Sequence, residues 1–105
     1  MYDLSKDFTV TVSIQTPMGP VKVLASILWQ DPSHFSGEAR LMGFSNHYEG
    51  GVRTDDHFAF DIAVKVPFGT LNIHVDAVID PEGGIIGEAT MPHRKPMHIS
   101  GHVDS

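Results

Sequence analysis

Apolar and polar residues alternate along most of the chain with the period of two that is typical of half-buried β-strands. In the first run, Phe8, Val10, Val12 and Ile14 alternate with threonine, serine and glutamine, and a second run extends from Val21 to Trp29. No stretch shows a convincing helical period. The pattern therefore predicts an all-β protein in which one face of each strand is buried.

Turn signals separate the strands. Residues 16–19 read TPMG, with proline second and glycine fourth as in a type I turn. Further turns are predicted at residues 31–33 (DPS), 66–69 (VPFG) and 80–84 (DPEGG). Together these signals divide the chain into eight short strands.

The two halves of the chain share residues at an offset of fifty. The tripeptide Gly-Glu-Ala stands at 37–39 and again at 87–89, inside a predicted strand of each half. When residues 8–55 are laid over residues 58–105 without a gap, further identities fall mostly at turns and bends: Phe8 with Phe58, Pro17 with Pro67, Gly19 with Gly69, and Gly51 with Gly101. We interpret residues 1–105 as one domain that contains two copies of a four-strand unit.

Short antiparallel strands must hide their unpaired edges, and closing the sheet on itself is the simplest way to do so. We therefore predict an eight-stranded up-and-down barrel, lipocalin-like in architecture, with pseudo-twofold symmetry. A two-sheet β-sandwich is the alternative.

The composition narrows the possible functions. The 105 residues contain no cysteine, which excludes disulfides, thiolate metal sites and cysteine nucleophiles. The net charge of −6 argues against a nucleic-acid partner, because phosphate neutralisation needs a basic face. The chain shows neither an apolar run of membrane-span length nor the features of a signal peptide, so we predict a cytoplasmic protein with no membrane partner.

The succession of glycine-rich motifs also resembles that of a known group of proteins. The order TPMGPV, FSGEARLMG, YEGGV, VPFGTL, IIGEATM and ISGHV is similar to a bacterial small β-domain type of unassigned activity. The resemblance covers about residues 8–103 and implies a β-barrel, but it implies no catalytic residue. The chain departs from this type in its histidine-rich last strand, MHISGHV.

The repeated glutamates and the closely spaced histidines are candidates for chemistry. Glu38 and Glu88 alternate with apolar neighbours, so we expect both side chains to point outward. His98 and His102 would lie about 13 Å apart on one strand, too far for one zinc ion to bind both directly. We therefore predict no metal site and no cofactor.

The direction of the last strand is open, because two rules disagree by one residue. Its own alternation turns Met97, Ile99 and Val103 inward and the histidines outward. The repeat instead places His98, Ser100 and His102 inward, because their counterparts Tyr48, Gly50 and Val52 are expected to face the core. A shift of one residue reverses the face of every side chain on a strand.

Our leading hypothesis is a small-molecule-binding barrel, because an eight-stranded barrel can hold one small ligand. An apolar or aromatic ligand would contact a cavity lined by Val10, Val12, Trp29, Phe58, Phe60 and Ile73. His98, His102 and Tyr48 would form a polar end that orients the ligand, with acid–base catalysis of an isomerase or lyase type as an extension. The alternatives are a filled-core interaction module, acting as a homodimer or a subunit of a larger complex, and a metal-binding surface protein.

Overall fold

The computed structural model describes residues 4–41, 43–66 and 69–104. Within these ranges every regular element is a β-strand: β1 Phe8–Thr16, β2 Gly19–Asp31, β3 His34–Leu41, β4 Phe44–Thr54, β5 His57–Val66, β6 Gly69–Ile79, β7 Gly84–Thr90 and β8 Met97–Asp104. Each strand pairs antiparallel with the next, and β8 pairs with β1. The predicted closed up-and-down barrel is confirmed, and the alternative of a sandwich is wrong because the sheet has no free edge.

The first three strands of each half have the same register. Phe8 pairs with Ile27 and Phe58 pairs with Ala77, an offset of fifty, and Ala25 with Ala39 corresponds in the same way to Val75 with Ala89. An internal repeat stays a prediction, but its geometric requirement is met in these strands. Of the predicted turn at 66–69, Pro67 and Phe68 lie outside the described residues.

Inward-facing side chains of all eight strands form one apolar core, as the alternation requires. Phe35 and Val64 are fully buried. Glu38 and Glu88 face outward, as predicted, and the hydroxyl of Ser45 donates to Glu38 Oε2 at 3.1 Å. None of the described residues forms a helix that is long and apolar enough to span a membrane.

One β-bulge in β4 removes the disagreement over the register of β8. On β3, Phe35 pairs with Gly51 and Gly37 pairs with Tyr48, so Glu49 and Gly50 together oppose one residue. Gly50 adopts φ 75°, a left-handed conformation that glycine adopts at no steric cost. The extra residue shifts β4 by one position relative to a regular strand. It also leaves Gly50 and Val52 exposed, so their predicted inward direction is wrong.

Strand β8 has no such bulge. Gly87 pairs with Ile99, so the structural counterpart of Tyr48 is Ile99 and not His98. The strand's own alternation therefore decides its direction, and His98 and His102 lie on the outer face. The inward register that the ungapped repeat suggested for these histidines is wrong because it ignores the extra residue in β4.

Aromatic side chains close one end of the barrel, which we call the arm end because residues 4–7 pack there. The backbone N–H of Trp29 donates to Asp7 Oδ1 at 2.9 Å, and its indole N–H donates to the Lys6 carbonyl at 3.1 Å. The guanidinium of Arg53 lies 5.4 Å from the Trp29 ring centroid and 5.5 Å from that of Phe58. We call the opposite end, which carries the turn between β1 and β2, the turn end.

Candidate functional site

The interior of the barrel contains a cavity of about 80 Å³ that is lined by apolar atoms alone. Five of the six residues predicted to line it do so: Val10, Val12, Phe58, Phe60 and Ile73. The sixth, Trp29, packs with Phe8, Phe35 and Phe58 at the arm end instead. Whether these residues bind a ligand stays a prediction.

The size and lining of the cavity limit what it can hold. Drug-sized ligands occupy pockets of about 300–1,000 Å³, and an engineered apolar cavity of about 150 Å³ binds benzene. At about 80 Å³, this cavity is smaller than that one, so a ring of five or six carbons fits only when lining side chains move. Water needs polar partners that this lining does not supply, so an uncharged apolar molecule is the better occupant.

Tyr48 lies inside the barrel with 2% of its surface exposed. Its hydroxyl donates to the backbone carbonyl of Ser26 at 2.6 Å, and its ring stacks on Phe60 with centroids 4.2 Å apart. Burial raises the pKa of the Tyr48 hydroxyl above its usual value of 10.0, because the phenolate would lose its hydration. The side chain is therefore a neutral donor whose proton is held by a backbone oxygen.

The carbonyl of Ser26 needs this donor because the sheet bends at Gly37. Between β2 and β3 the register passes from Ala25↔Ala39 to Leu28↔Ser36 and omits Ser26. A Cβ atom at Gly37 would lie 2.0 Å from the Ser26 oxygen, so only glycine permits this close approach. Tyr48 thus has a structural role, since it satisfies a carbonyl that the bend removes from the ladder.

The structure reveals a second inward polar residue, which the sequence analysis did not identify. Asn46, on β4, is 6% exposed, and its Oδ1 accepts a hydrogen bond from the backbone N–H of Lys65 at 3.1 Å. Its Nδ2 is buried and has no hydrogen-bond partner among the described residues. Because Tyr48 was expected to face the core, the alternation of a strand already places Asn46, two residues earlier, on the same inward face.

The predicted polar end formed by His98, His102 and Tyr48 is not assembled. His98 lies opposite Glu88 on the outer face, and His102 is 67% exposed with Nε2 3.5 Å from Asp104 Oδ1. Since Tyr48 points inward and both histidines point outward, the barrel wall separates them. The predicted grouping is wrong for the same reason as the inward register of β8.

The outer face of the second half carries further histidine–carboxylate pairs. His74 Nδ1 lies 2.7 Å from Asp61 Oδ1, and His57 contacts Asp76. Asp76 lies directly opposite Glu88. Within residues 4–41, 43–66 and 69–104, no group of three or more such side chains is placed to hold a metal ion.

Comparison with known proteins supports the fold and nothing finer. No family model and no curated protein matches the sequence. Among solved structures, a redesigned β-barrel, b11L5F_LGL, is similar with a TM-score of 0.74 at 13% identity, and the match covers 93% of this chain and 90% of that chain. At this identity the likeness shows the closed barrel alone, and the resemblance to a bacterial β-domain type stays a prediction.

Proposed function

We propose that this protein binds a small, uncharged, apolar molecule inside the barrel. The observation that carries the proposal is the cavity inside the barrel, whose lining contains no polar atom. The closed sheet fixes the backbone of this wall, so a ligand that fits orders only a few side chains when it binds. Its small volume favours a ligand of a few heavy atoms, or one part of a larger ligand.

We propose binding without chemical turnover. None of the residues that line the cavity is titratable, so no lining side chain supplies an acid or a base. Tyr48 adjoins the lining residue Phe60, but its hydroxyl is committed to the Ser26 carbonyl. Acid–base catalysis, which the sequence suggested as an extension of ligand binding, therefore has no support inside the barrel. The cytoplasmic location stays a prediction.

A titration of the full chain with cyclopentane, followed by methyl NMR, tests this function. We expect saturable shifts at cavity-lining methyl groups such as those of Ile73 and Ile99. Ala77→Val fills part of the cavity and should weaken binding by about tenfold, equivalent to about 1.4 kcal/mol. Ala63→Val adds the same atoms on the exposed outer face of β5 and should bind like the wild type.

Absence of saturable binding by the wild type, or equal weakening by Ala77→Val and Ala63→Val, would refute the proposal. The first of these results would favour the filled-core alternative, in which the barrel serves as a scaffold.

One surface feature favours protein interaction as a second candidate function. Ile86 is 64% exposed and lies directly opposite Val78, which is 38% exposed, so two neighbouring strands present an apolar pair to solvent. Apolar surface of this kind can mark an interaction site. Sedimentation equilibrium of the wild type and of Ile86→Lys tests for a homodimer: a dimer that the variant disrupts supports it, and a wild-type monomer at all concentrations contradicts it.

A further inference from the structure

Asn46 holds a buried hydrogen-bond donor that nothing among the described residues satisfies. The orientation of its amide is fixed, because the backbone N–H of Lys65 requires an acceptor and therefore faces Oδ1. The free group is thus the NH₂. Leaving such a donor unpaired in the interior costs about 1–3 kcal/mol, so its presence calls for a reason.

The barrel itself does not require a polar side chain at this position. Asn46 lies opposite Ala39 on β3, and the corresponding position of the other half, opposite Ala89 on β7, is held by Met97. Met97 is partly buried and packs against the core. An apolar residue therefore meets the needs of the same fold at the equivalent place.

The amide lies beside the wall of the cavity. Its cross-strand partner Ala39 lines the cavity, and so does Leu41, two residues further along the same inward face of β3. Val64, which precedes the hydrogen-bond donor Lys65, lines it as well. Ala39 carries only a methyl group, so little side-chain volume separates the amide from the cavity. Leu41 is only partly buried.

Among the described residues, the ladder between β4 and β5 is the shortest in the barrel. Its register comprises three pairs, from Thr54↔His57 to Val52↔Ala59, whereas β5 and β6 are joined by ten. Beyond these three pairs, towards the turn end, two side-chain contacts link the described residues of β4 and β5. They are the hydrogen bond from the Lys65 N–H to Asn46 and the stack of Tyr48 on Phe60. A wall held by side chains opens at lower cost than one held by a continuous ladder.

We propose that Asn46 is the polar anchor of the ligand site, and that the ligand is an apolar molecule with one hydrogen-bond-accepting oxygen, such as a ketone or aldehyde carbonyl. This inference rests on the proposed function. The apolar part of the ligand occupies the cavity, and its oxygen accepts a hydrogen bond from Asn46 Nδ2. An apolar lining attracts many molecules alike, and one polar group at its edge gives orientation and selectivity.

Cyclopentane and cyclopentanone are matched probes for this anchor, since they differ by one carbonyl oxygen. The quantity to measure, by NMR titration of the full chain, is the ratio of their dissociation constants, cyclopentane over cyclopentanone. Comparing this ratio between variants cancels the different hydration of the two probes. Asn46→Met copies the residue of β8 and should lower the ratio about three- to tenfold, the worth of one hydrogen bond.

Asn72→Met makes the same change on the exposed outer face of β6 and should leave the ratio unchanged. If Asn46→Met does not fold, Asn46→Asp takes its place in the test. This variant retains an acceptor for the Lys65 N–H but lacks the amide donor, so it should lower the ratio as well. In the wild type, cyclopentanone should shift the side-chain amide resonances of Asn46, and cyclopentane should not.

The possible results of these titrations distinguish a failure of the Asn46 anchor from a failure of the proposed binding function. If both probes bind but the ratio is the same in the wild type and in the Asn46 variants, the anchor is wrong and the binding function stands. If neither probe binds the wild type, both are wrong. A wild-type Asn46 amide resonance that cyclopentanone leaves unmoved also overturns the anchor.

Discussion

The β3–β4 hairpin and the β7–β8 hairpin occupy corresponding places in the two halves of the barrel, yet they are built differently. In both, a glycine of the first strand packs against the preceding strand so closely that a Cβ would meet backbone oxygen, at 2.0 Å for Gly37 and 2.3 Å for Gly87. Opposite Gly37 stands Tyr48, and opposite Gly87 stands Ile99. The same bend is thus followed by a polar inward strand in one half and an apolar one in the other.

This difference distinguishes the residues that the barrel fold requires in both halves from those that occur in one half only. The bend requires glycine in both halves, whereas the polar pair Asn46 and Tyr48 belongs to β4 alone. The β-bulge at Gly50 accompanies this pair, and the adjoining β4–β5 ladder is short. The polar pair, this bulge and the short ladder therefore all involve β4, the strand that carries the proposed anchor.

The largest expected effect concerns the aromatic core of the first half. Phe35 is fully buried against Trp29, Tyr48 and Phe58, and the corresponding residue of the second half is Ile85. We expect Phe35→Ala to lower the free energy of unfolding by about 3–5 kcal/mol, because it leaves a ring-sized cavity. Ile85→Ala should cost less, as it removes fewer atoms. Urea denaturation measures both, and equal losses would contradict an asymmetric core.

Tyr48→Phe should have the next largest effect. The variant keeps the ring stack on Phe60 but leaves the Ser26 carbonyl without the phenolic donor. We expect the free energy of unfolding to fall by about 1–3 kcal/mol, the cost of an unsatisfied buried group. Urea denaturation at neutral pH gives the value, and a change below about 0.5 kcal/mol would mean that water replaces the hydroxyl at no cost.

Alkaline pH tests the same hydroxyl in another way. The pKa of Tyr48 is raised in the folded state, so its contribution to stability is complete below the ordinary pKa of 10.0 and is lost as pH rises above it. The wild type should therefore lose about 1.4 kcal/mol more per pH unit above this value than Tyr48→Phe does. Chemical denaturation at several alkaline pH values measures the difference, and parallel curves for the two proteins would contradict a buried phenol.

Gly50→Ala tests the bulge with a smaller expected effect. A Cβ there meets no atom within 4 Å, but φ is 75°, so the cost is conformational and amounts to about 1–2 kcal/mol. Ser100→Ala, at the regular position of β8 that faces Ser13 on β1, is the matched control and should change stability by less than about 0.5 kcal/mol. If the two substitutions shift the denaturation midpoint equally, the backbone at residue 50 can leave the left-handed conformation without cost, which would contradict this prediction.

The smallest effects are expected for the histidines of the last strand. His98→Ala and His102→Ala remove outward side chains, so each should change the free energy of unfolding by less than about 0.5 kcal/mol and leave cyclopentane binding unaltered. Thermal unfolding and the NMR titration check both statements. A loss of affinity in either variant would place the binding site on the outer face instead of in the cavity.

The alternation of apolar and polar residues by itself determined the strands and most of their faces, and it favoured closure of the barrel. Glu38 and Glu88 were expected outward, and the structure has them so. This pattern is readable because the side-chain period of a strand is fixed by backbone geometry, and because eight short strands bury their edges best by closing. Five of the six residues expected to line the cavity followed from the same rule.

Only the tertiary structure showed that β4 contains an extra residue, and therefore which of the two possible registers β8 follows. Gly50 takes up its left-handed conformation because β3 opposes two residues with one, and a single strand read alone carries no sign of that mismatch. An ungapped comparison of the halves therefore paired Tyr48 with His98, one residue away from its counterpart Ile99. The partners of Tyr48 and Asn46, the Ser26 carbonyl and the Lys65 N–H, come from other strands, so they depend on strand pairing that local sequence does not encode.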